Sequence, residues 1–325
     1  MTPRSAQAMN IMQGFRSSSH RHASKPRECT GGSLGVESHR MVSPNIERLK
    51  PGPDDLIEGK DQKPTVHPTP SHVANGEGRS ALFRIWRGDK TGGTFVDYKT
   101  EVGTGMVVLD AVHQIQAHQA NDLAVRWNCK AGKCGSCSAE VNGKPCLMCM
   151  TRLDQIDLDM PVIIEPLQTF PSVKDLVTDV SWNFEVKKRI KPFKPRKPDA
   201  PDGTWRMQQA DIDRVQEFRK CIECFLCQDV CHVLRDHHKH AEFIGPRFLI
   251  HTAALEMHPL DTENRIPELR NDYGIGYCNI TKCCTQVCPE HIHITDNGII
   301  PLKERVVDEF YDPVTKLFRV FKPSK

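Results

Sequence analysis

Cys221-Ile-Glu-Cys224-Phe-Leu-Cys227-Gln-Asp-Val-Cys231 is the stretch whose reading decides the fold of this chain. Two gaps of two residues followed by one of three are the spacing that wraps a short loop round one face of a cubane iron-sulfur cluster. The last cysteine of such a run ligates a neighbouring cluster rather than its own. One turn of chain is therefore expected to feed two redox centres.

The partner stretch is Cys278-Asn-Ile-Thr281-Lys-Cys283-Cys284-Thr-Gln-Val-Cys288-Pro289. If the two stretches exchange their last cysteines, Cys288 closes the site begun by Cys221, Cys224 and Cys227, and Cys231 joins Cys278 and Cys284. The first site then has four thiolates and the second three. In a ferredoxin with two cubanes the position three after Cys278 would be cysteine, and here it is Thr281. A cube corner whose iron lacks a thiolate is easily lost, so the expectation is one 4Fe-4S and one 3Fe-4S cluster. Cys283 would add an eighth ligand only if the loop slipped by two residues. Cys284 beside it must point inward, so Cys283 is expected to point away. Zinc is the alternative metal, since paired CxxC motifs also build closed tetrahedral sites. Two zinc knuckles would group their ligands four and four, whereas this spacing interleaves a run of four with a run of three.

Composition bounds what surrounds these runs. With 325 residues, 38% hydrophobic and only 6% aromatic, the chain holds two modest domains and a tail rather than one large core. Its fourteen cysteines fall mostly at metal-ligand spacings, which implies a reducing compartment. A net charge of +3 carries no global nucleic-acid footprint. No apolar run approaches the roughly eighteen residues of a membrane span, so membrane association is expected to run through a partner.

Residues 1–80 read as an extension without periodic apolar pattern. Arg4, Arg16, Arg21, Lys25 and Arg27, with no acid among them, resemble the start of an organelle transit peptide. A disordered tail, or a start placed too far upstream, is the favoured reading. Cys29 stands alone in this tail. Order is expected from Ala81. Residues around Leu82 to Trp86 read as a strand, Gly92-Gly93 as a turn, and Thr94 to Val102 as the antiparallel partner. Val107, Leu109, Val112 and Ile115 then fall near helical spacing, and strand, strand, helix is how a grasp fold opens.

Cys129-Lys-Ala-Gly-Lys-Cys134-Gly-Ser-Cys137, with Cys149 farther on, has the gaps of a plant-type 2Fe-2S loop. Gly132 and Gly135 suit a loop that turns amide N–H groups toward sulfur. Asn142-Gly143 marks the hairpin that returns the chain to Cys149, and Pro161-Val-Ile-Ile-Glu-Pro reads as the closing strand. Cys146 is expected to be a buried structural thiol.

Lys187 to Pro201 interleaves seven basic residues with prolines and reads as a stiff, extended linker, either solvated or facing an acidic surface. Beyond it, helices are expected at Ala210–Lys220, Arg247–Met257 and Ile299–Phe310. His232, His237, His238 and His240 invite a haem or proton relay, although four histidines among charged residues are more often surface. The fold class is α+β: an N-terminal 2Fe-2S β-grasp ferredoxin domain (81–186), a basic linker (187–205) and an α-helical two-cluster ferredoxin domain (206–325). No substrate chemistry is evident in the chain.

This arrangement resembles the iron-sulfur subunit of succinate dehydrogenase and fumarate reductase, and the wording RWNCKAGKCGSCSAE and CIECFLCQDVCHVLRDH is similar to actinobacterial members. The resemblance implies 2Fe-2S on Cys129, Cys134, Cys137 and Cys149, 4Fe-4S on Cys221, Cys224, Cys227 and Cys288, and 3Fe-4S on Cys231, Cys278 and Cys284. It further implies a flavoprotein partner carrying FAD, a membrane anchor where quinone is reduced, and a peripheral place on the cytoplasmic face of a bacterial membrane. Two departures touch the quinone end. The family's proline after the cysteine at 231 is His232, with Asp236 where a tryptophan would follow, and its histidine after the cysteine at 278 is Asn279. An acceptor other than quinone, a haem or a further cluster in the anchor, is therefore expected to take the electrons. Succinate oxidation and fumarate reduction are not distinguished by the sequence.

Overall fold

A computed structural model describes residues 78–313. The tail, with Cys29 and the basic start, lies outside the described residues.

The chain enters as a long hairpin of β1 (Arg79–Asp89) and β2 (Gly92–Val102), paired antiparallel from Arg79↔Val102 to Asp89↔Gly92. Its turn is Lys90-Thr91, not the expected Gly92-Gly93. The Asp89 carboxylate accepts from the Thr91 N–H at 2.7 Å and its hydroxyl at 2.6 Å, which closes the turn without glycine. Gly93 serves packing instead, since a Cβ there would come within 2.4 Å of the Arg87 carbonyl oxygen, while Gly92 has open space around it and lies at φ 138°.

Helix α1 (Val108–His118) then buries Val108, Leu109, Ala111, Val112 and Ile115 against the sheet. Val107 is its N-cap, and the N–H there donates to the Asp110 carboxylate at 3.1 Å. Strands β3 (Ser138–Val141) and β4 (Lys144–Leu147) flank Asn142-Gly143, whose φ values of 50° and 72° suit a primed hairpin turn. Strand β5 (Val162–Glu165) runs parallel to β1 and antiparallel to β3, closing the grasp around α1. Short strands β6 (Ser172–Lys174) and β7 (Val177–Thr178) extend the sheet past β1.

Helix α2 (Ser181–Arg189) continues through the start of the expected linker. The basic segment beyond it is docked rather than solvated. Arg265, fully buried, donates to the carbonyls of Lys191 (2.9 Å) and Pro192 (2.7 Å) and pairs with Asp261 (2.9 Å). Lys191 meets Glu268 at 2.6 Å, and the Arg196 and Thr262 N–H groups bond across the same seam. Glu263 and Glu268 pair with Lys191, and these contacts, with Arg265 and the backbone bonds, hold the linker against the helical part while Lys194 and Lys197 stay exposed.

That part comprises α3 (Gln209–Gln216), α4 (Leu226–Asp229), α5 (His232–Arg235), α6 (Pro246–Glu256), α7 (Ile266–Asn271), α8 (Cys283–Gln286) and α9 (Ile300–Phe310), with a π-turn at Ile294–Ile299 leading into α9. Phe218, Leu226, Phe243, Phe248, Leu249, Leu269 and Leu302 form its centre. Mixed sheet and separate helices make the fold α+β, as expected.

The two halves meet through buried polar contacts. Arg235 of α5 grips Glu140 of β3 through both oxygens at 2.6 and 3.1 Å. Asp229, at the end of α4, accepts from the Thr169 N–H at 3.0 Å, and its carbonyl accepts from the Thr169 hydroxyl at 2.9 Å. Burial first, and then the neighbouring Glu140, push the Asp229 carboxyl up to about 8.

Candidate iron-sulfur centres

The loop 129–137 is shaped by glycines that no other residue would replace easily. Gly132 and Gly135 lie at φ 67° and 69°, and backbone N–H groups turn toward sulfur as a result. Ala131 and Lys133 donate to Cys129 Sγ at 3.4 and 3.3 Å, Gly132 to Cys149 Sγ at 3.3 Å, and Cys129 and Ser136 to Cys134 Sγ at 3.5 Å. This donor array brings Cys129, Cys134 and Cys149 into one hydrogen-bonded loop, with Cys137 at the start of the hairpin that returns to Cys149. At Cys134, burial works to raise the thiol, but the Ser136 hydroxyl and the Cys129 and Ser136 amides outweigh it and bring it down to about 7. Cys137 is pushed up to about 12 by burial. Cys129 is exposed, beside Trp127, Lys130 and Met150 on the surface. Cys146 is set apart and half-buried, not buried as expected, with its sulfur 3.1 Å from the Thr151 hydroxyl.

The two later cysteine runs have one backbone repeated. Left-handed residues stand two and four positions after the first cysteine of each: Glu223 and Phe225 after Cys221, Ile280 and Lys282 after Cys278. A short helix begins five positions after it in both, α4 at Leu226 and α8 at Cys283. Alternating right- and left-handed residues point successive N–H groups into a concavity suited to anions. A left-handed Ile280 is strained for a β-branched residue and persists only because its surroundings hold it there. By this repeat Thr281 stands where Cys224 stands, Cys284 where Cys227 stands, and Cys283 where the buried core residue Leu226 stands. The dihedral pattern thus agrees with the equal spacing of the two runs, which already puts Thr281 at the position of a missing cysteine.

The side chains gather accordingly. One small cavity is lined by Cys221, Cys224, Cys227 and Cys288, with Arg247, Pro289 and Glu290 on its wall. Another is lined by Cys231, Cys278 and Cys284, with His232, Asn279 and Thr281 also facing it, and Cys283, contrary to expectation, lines it too. Among the described residues, no three His, Cys, Asp or Glu side chains converge as a single ion would need. Thiols spread round a cavity suit a polynuclear cluster. Burial pushes Cys224 up to about 12 and Cys231 to about 11, and holds Cys227 well above the ordinary thiol value. Thiolates are therefore costly here unless iron supplies the positive charge. Arg247 also fits: its buried Nε–H has no acceptor in the protein.

The donor loops adjoin in series. A Cβ on Gly135 would fall 2.6 Å from the Cα of Cys224, and the Ser138 hydroxyl lies 2.8 Å from the Gly135 carbonyl and 3.0 Å from that of Cys224. Lys133 reaches Glu290 at 2.9 Å. Cys227 feels the charge of Cys284 across the two cavities. Of the histidines, His232 faces the second cavity and His240 is tucked against Trp182 at 4.8 Å.

Comparison with known proteins agrees with this geometry. Residues 82–185 match the 2Fe-2S iron-sulfur cluster binding domain family and residues 217–292 the 4Fe-4S dicluster domain family. The fumarate reductase iron-sulfur subunit of Mycobacterium tuberculosis (strain CDC 1551 / Oshkosh) is 32% identical over 61% of this chain and 81% of that protein. The chain belongs to the family of succinate dehydrogenase and fumarate reductase iron-sulfur subunits. The succinate dehydrogenase iron-sulfur subunit of Bacillus subtilis (strain 168) is 30% identical over 67% of this chain and 90% of its own length. A solved chain of the Mycobacterium smegmatis Sdh1 complex in the apo form superposes with a TM-score of 0.71 at 60% identity, over 73% of this chain and 99% of that one. This iron-sulfur subunit is thus an electron-transfer component of an oxidoreductase complex, with a 2Fe-2S domain followed by a 4Fe-4S dicluster domain.

Proposed function

We propose that Cys129, Cys134, Cys137 and Cys149 hold a 2Fe-2S cluster, that Cys221, Cys224, Cys227 and Cys288 hold 4Fe-4S, and that Cys231, Cys278 and Cys284 hold 3Fe-4S. The observation that carries this reading is the repeated backbone of the two runs: Cys221, Cys224 and Cys227 line one cavity with Cys288, whereas in the other Thr281 stands at the place of Cys224, and Cys283, though it lines that cavity, stands at the place of Leu226. Bound clusters of this kind accept single electrons and so link a two-electron donor to one-electron acceptors.

The residues of this chain do the remaining work. Loop amides donate to the thiolates of the first site, the apolar walls of the other two keep water out, and the contact at Gly135 and Cys224 joins the first site to the second. The surface around Cys129, with exposed Trp127 and Met150, would meet an FAD-bearing subunit. The exposed stretch from Asn279 to Lys282 would meet the membrane anchor. No helix of the described residues is long and apolar enough to cross a membrane. By the family resemblance the membrane anchor would be a separate partner, with this subunit peripheral on the cytoplasmic face. Asn279 and His232 at the last cavity favour an acceptor other than quinone at that point, a haem or a further cluster.

Cys288→Ser and Cys284→Ser test the ligand sets. The first should abolish the 4Fe-4S signal and the second the 3Fe-4S signal in the assembled complex. Loss of the other signal in either variant would overturn the partition. Density for a quinone against Asn279 and His232 would overturn the proposed acceptor.

A further inference from the structure

Arg247 sits where a cation is least welcome. It follows Pro246 in the first turn of α6, the positive end of a helix, with no acidic residue in that turn. It is also 94% buried, reckoned from its 6% exposure. Local rules broken in this way mark functional positions.

Its partners leave the charge unbalanced. Arg247 and Lys187 both reach the same oxygen of Glu223, each at 2.6 Å, so two cations share one carboxylate and the group is net positive. Arg247 lies on the wall of the cavity lined by Cys221, Cys224, Cys227 and Cys288, which Glu290 also lines, and the buried Nε–H of Arg247 has no acceptor in the protein.

We propose that Arg247 sets the reduction potential of the 4Fe-4S centre upward, donating its Nε–H to a sulfur of that centre and placing the net charge of the Arg247–Glu223–Lys187 group beside it. The inference rests on the assignment of those four cysteines to 4Fe-4S. A positive charge and an N–H donor both stabilise the state with one more electron. In the transfer itself the 2Fe-2S centre is oxidised by one electron, the 4Fe-4S centre is reduced by one, and Arg247 keeps its proton. Arg247 is a positioning residue for charge, acting on the ease with which the middle centre is filled.

The test is redox titration of the assembled complex followed by low-temperature paramagnetic resonance, in wild type, Arg247→Met, Arg247→Lys and Glu223→Gln. Arg247→Met should lower the ratio of reduced to oxidised 4Fe-4S about tenfold at a fixed potential, a shift of about 59 mV for one electron. Arg247→Lys should recover part of it through charge alone. Glu223→Gln removes the counter-charge and should shift the centre the opposite way, which keeps the test alive if Arg247→Met loses the cluster. Midpoints of the other two centres should stay in place. An unchanged 4Fe-4S midpoint in Arg247→Met, or in Glu223→Gln, overturns the proposal, as does an equal shift of all three centres. A wild-type complex with no reducible 4Fe-4S signal overturns the ligand assignment instead.

Discussion

Gly135 and Cys224 touch backbone to backbone, so the loop of the first candidate centre rests directly on a thiol-bearing residue of the second. No side chain fits between them: a Cβ at 135 would meet three atoms of Cys224 within 3.0 Å, and φ there is 69°. Gly135→Ala therefore combines a left-handed alanine, on the order of 1–2 kcal/mol, with a clash that only parting the two loops relieves. The expected result is loss of iron and acid-labile sulfide equivalent to the 2Fe-2S centre, together with a lower unfolding temperature. Full cluster content at an unchanged unfolding temperature would contradict it.

The seam between the halves depends on Arg235. Glu140 and Asp229 are both essentially inaccessible to solvent, and Arg235 is the cation that faces them. Arg235→Ala strands the buried Glu140 carboxylate and should cost about 3–5 kcal/mol, measured by chemical denaturation of the complex. Lys133→Ala removes the Glu290 pair, in which the lysine is 69% exposed. That change should cost under about 1 kcal/mol.

The cysteine spacings made the sites legible, because cluster ligation imposes fixed gaps on a chain. Asn142-Gly143 was equally legible, since a primed turn needs two residues of positive φ. Gly92-Gly93 misled: the Asx contact from Asp89 closes the turn, and Gly93 answers to a close cross-strand approach that only the fold reveals. The basic linker misled for a related reason. Lys191 looks solvated until Glu263 and Glu268, distant in sequence, come up beside it. Arg247 was read only as the start of a helix, and nothing in its neighbourhood in the sequence announces Glu223 or Lys187. The repeated left-handed residues at Glu223, Phe225, Ile280 and Lys282 had no sequence signal, since none of them is glycine.

His251 gives a pH dependence of known sign. Burial, and then Arg247 and Lys187, push its imidazole down to about 4 from an ordinary 6.5. The fold favours neutral His251, so its contribution is fully present above pH 6.5 and is lost as pH falls from there toward 4. Solvent screening limits the effect to on the order of 1–2 kcal/mol. His251→Gln should flatten the fall in unfolding temperature between neutral and acid pH. An identical slope in wild type and variant would refute the assignment.

Thr281 stands in the repeat where Cys224 stands in the first run, facing the cavity of Cys231, Cys278 and Cys284. Thr281→Cys supplies the missing thiolate. The oxidised variant should lose its 3Fe-4S signal and gain a second reducible cubane, with one more iron per chain by analysis. A persistent 3Fe-4S signal would mean that residue 281 does not reach the open corner.

The central claim, that this subunit carries succinate-derived electrons through three unlike centres, is tested most directly by low-temperature electron paramagnetic resonance. The anaerobically purified complex would be examined oxidised and then after succinate, with iron and sulfide counted. The account predicts a 3Fe-4S signal in the oxidised sample and a 2Fe-2S signal once succinate is added. A second reducible cubane in place of the 3Fe-4S signal, or no response to succinate, would contradict it.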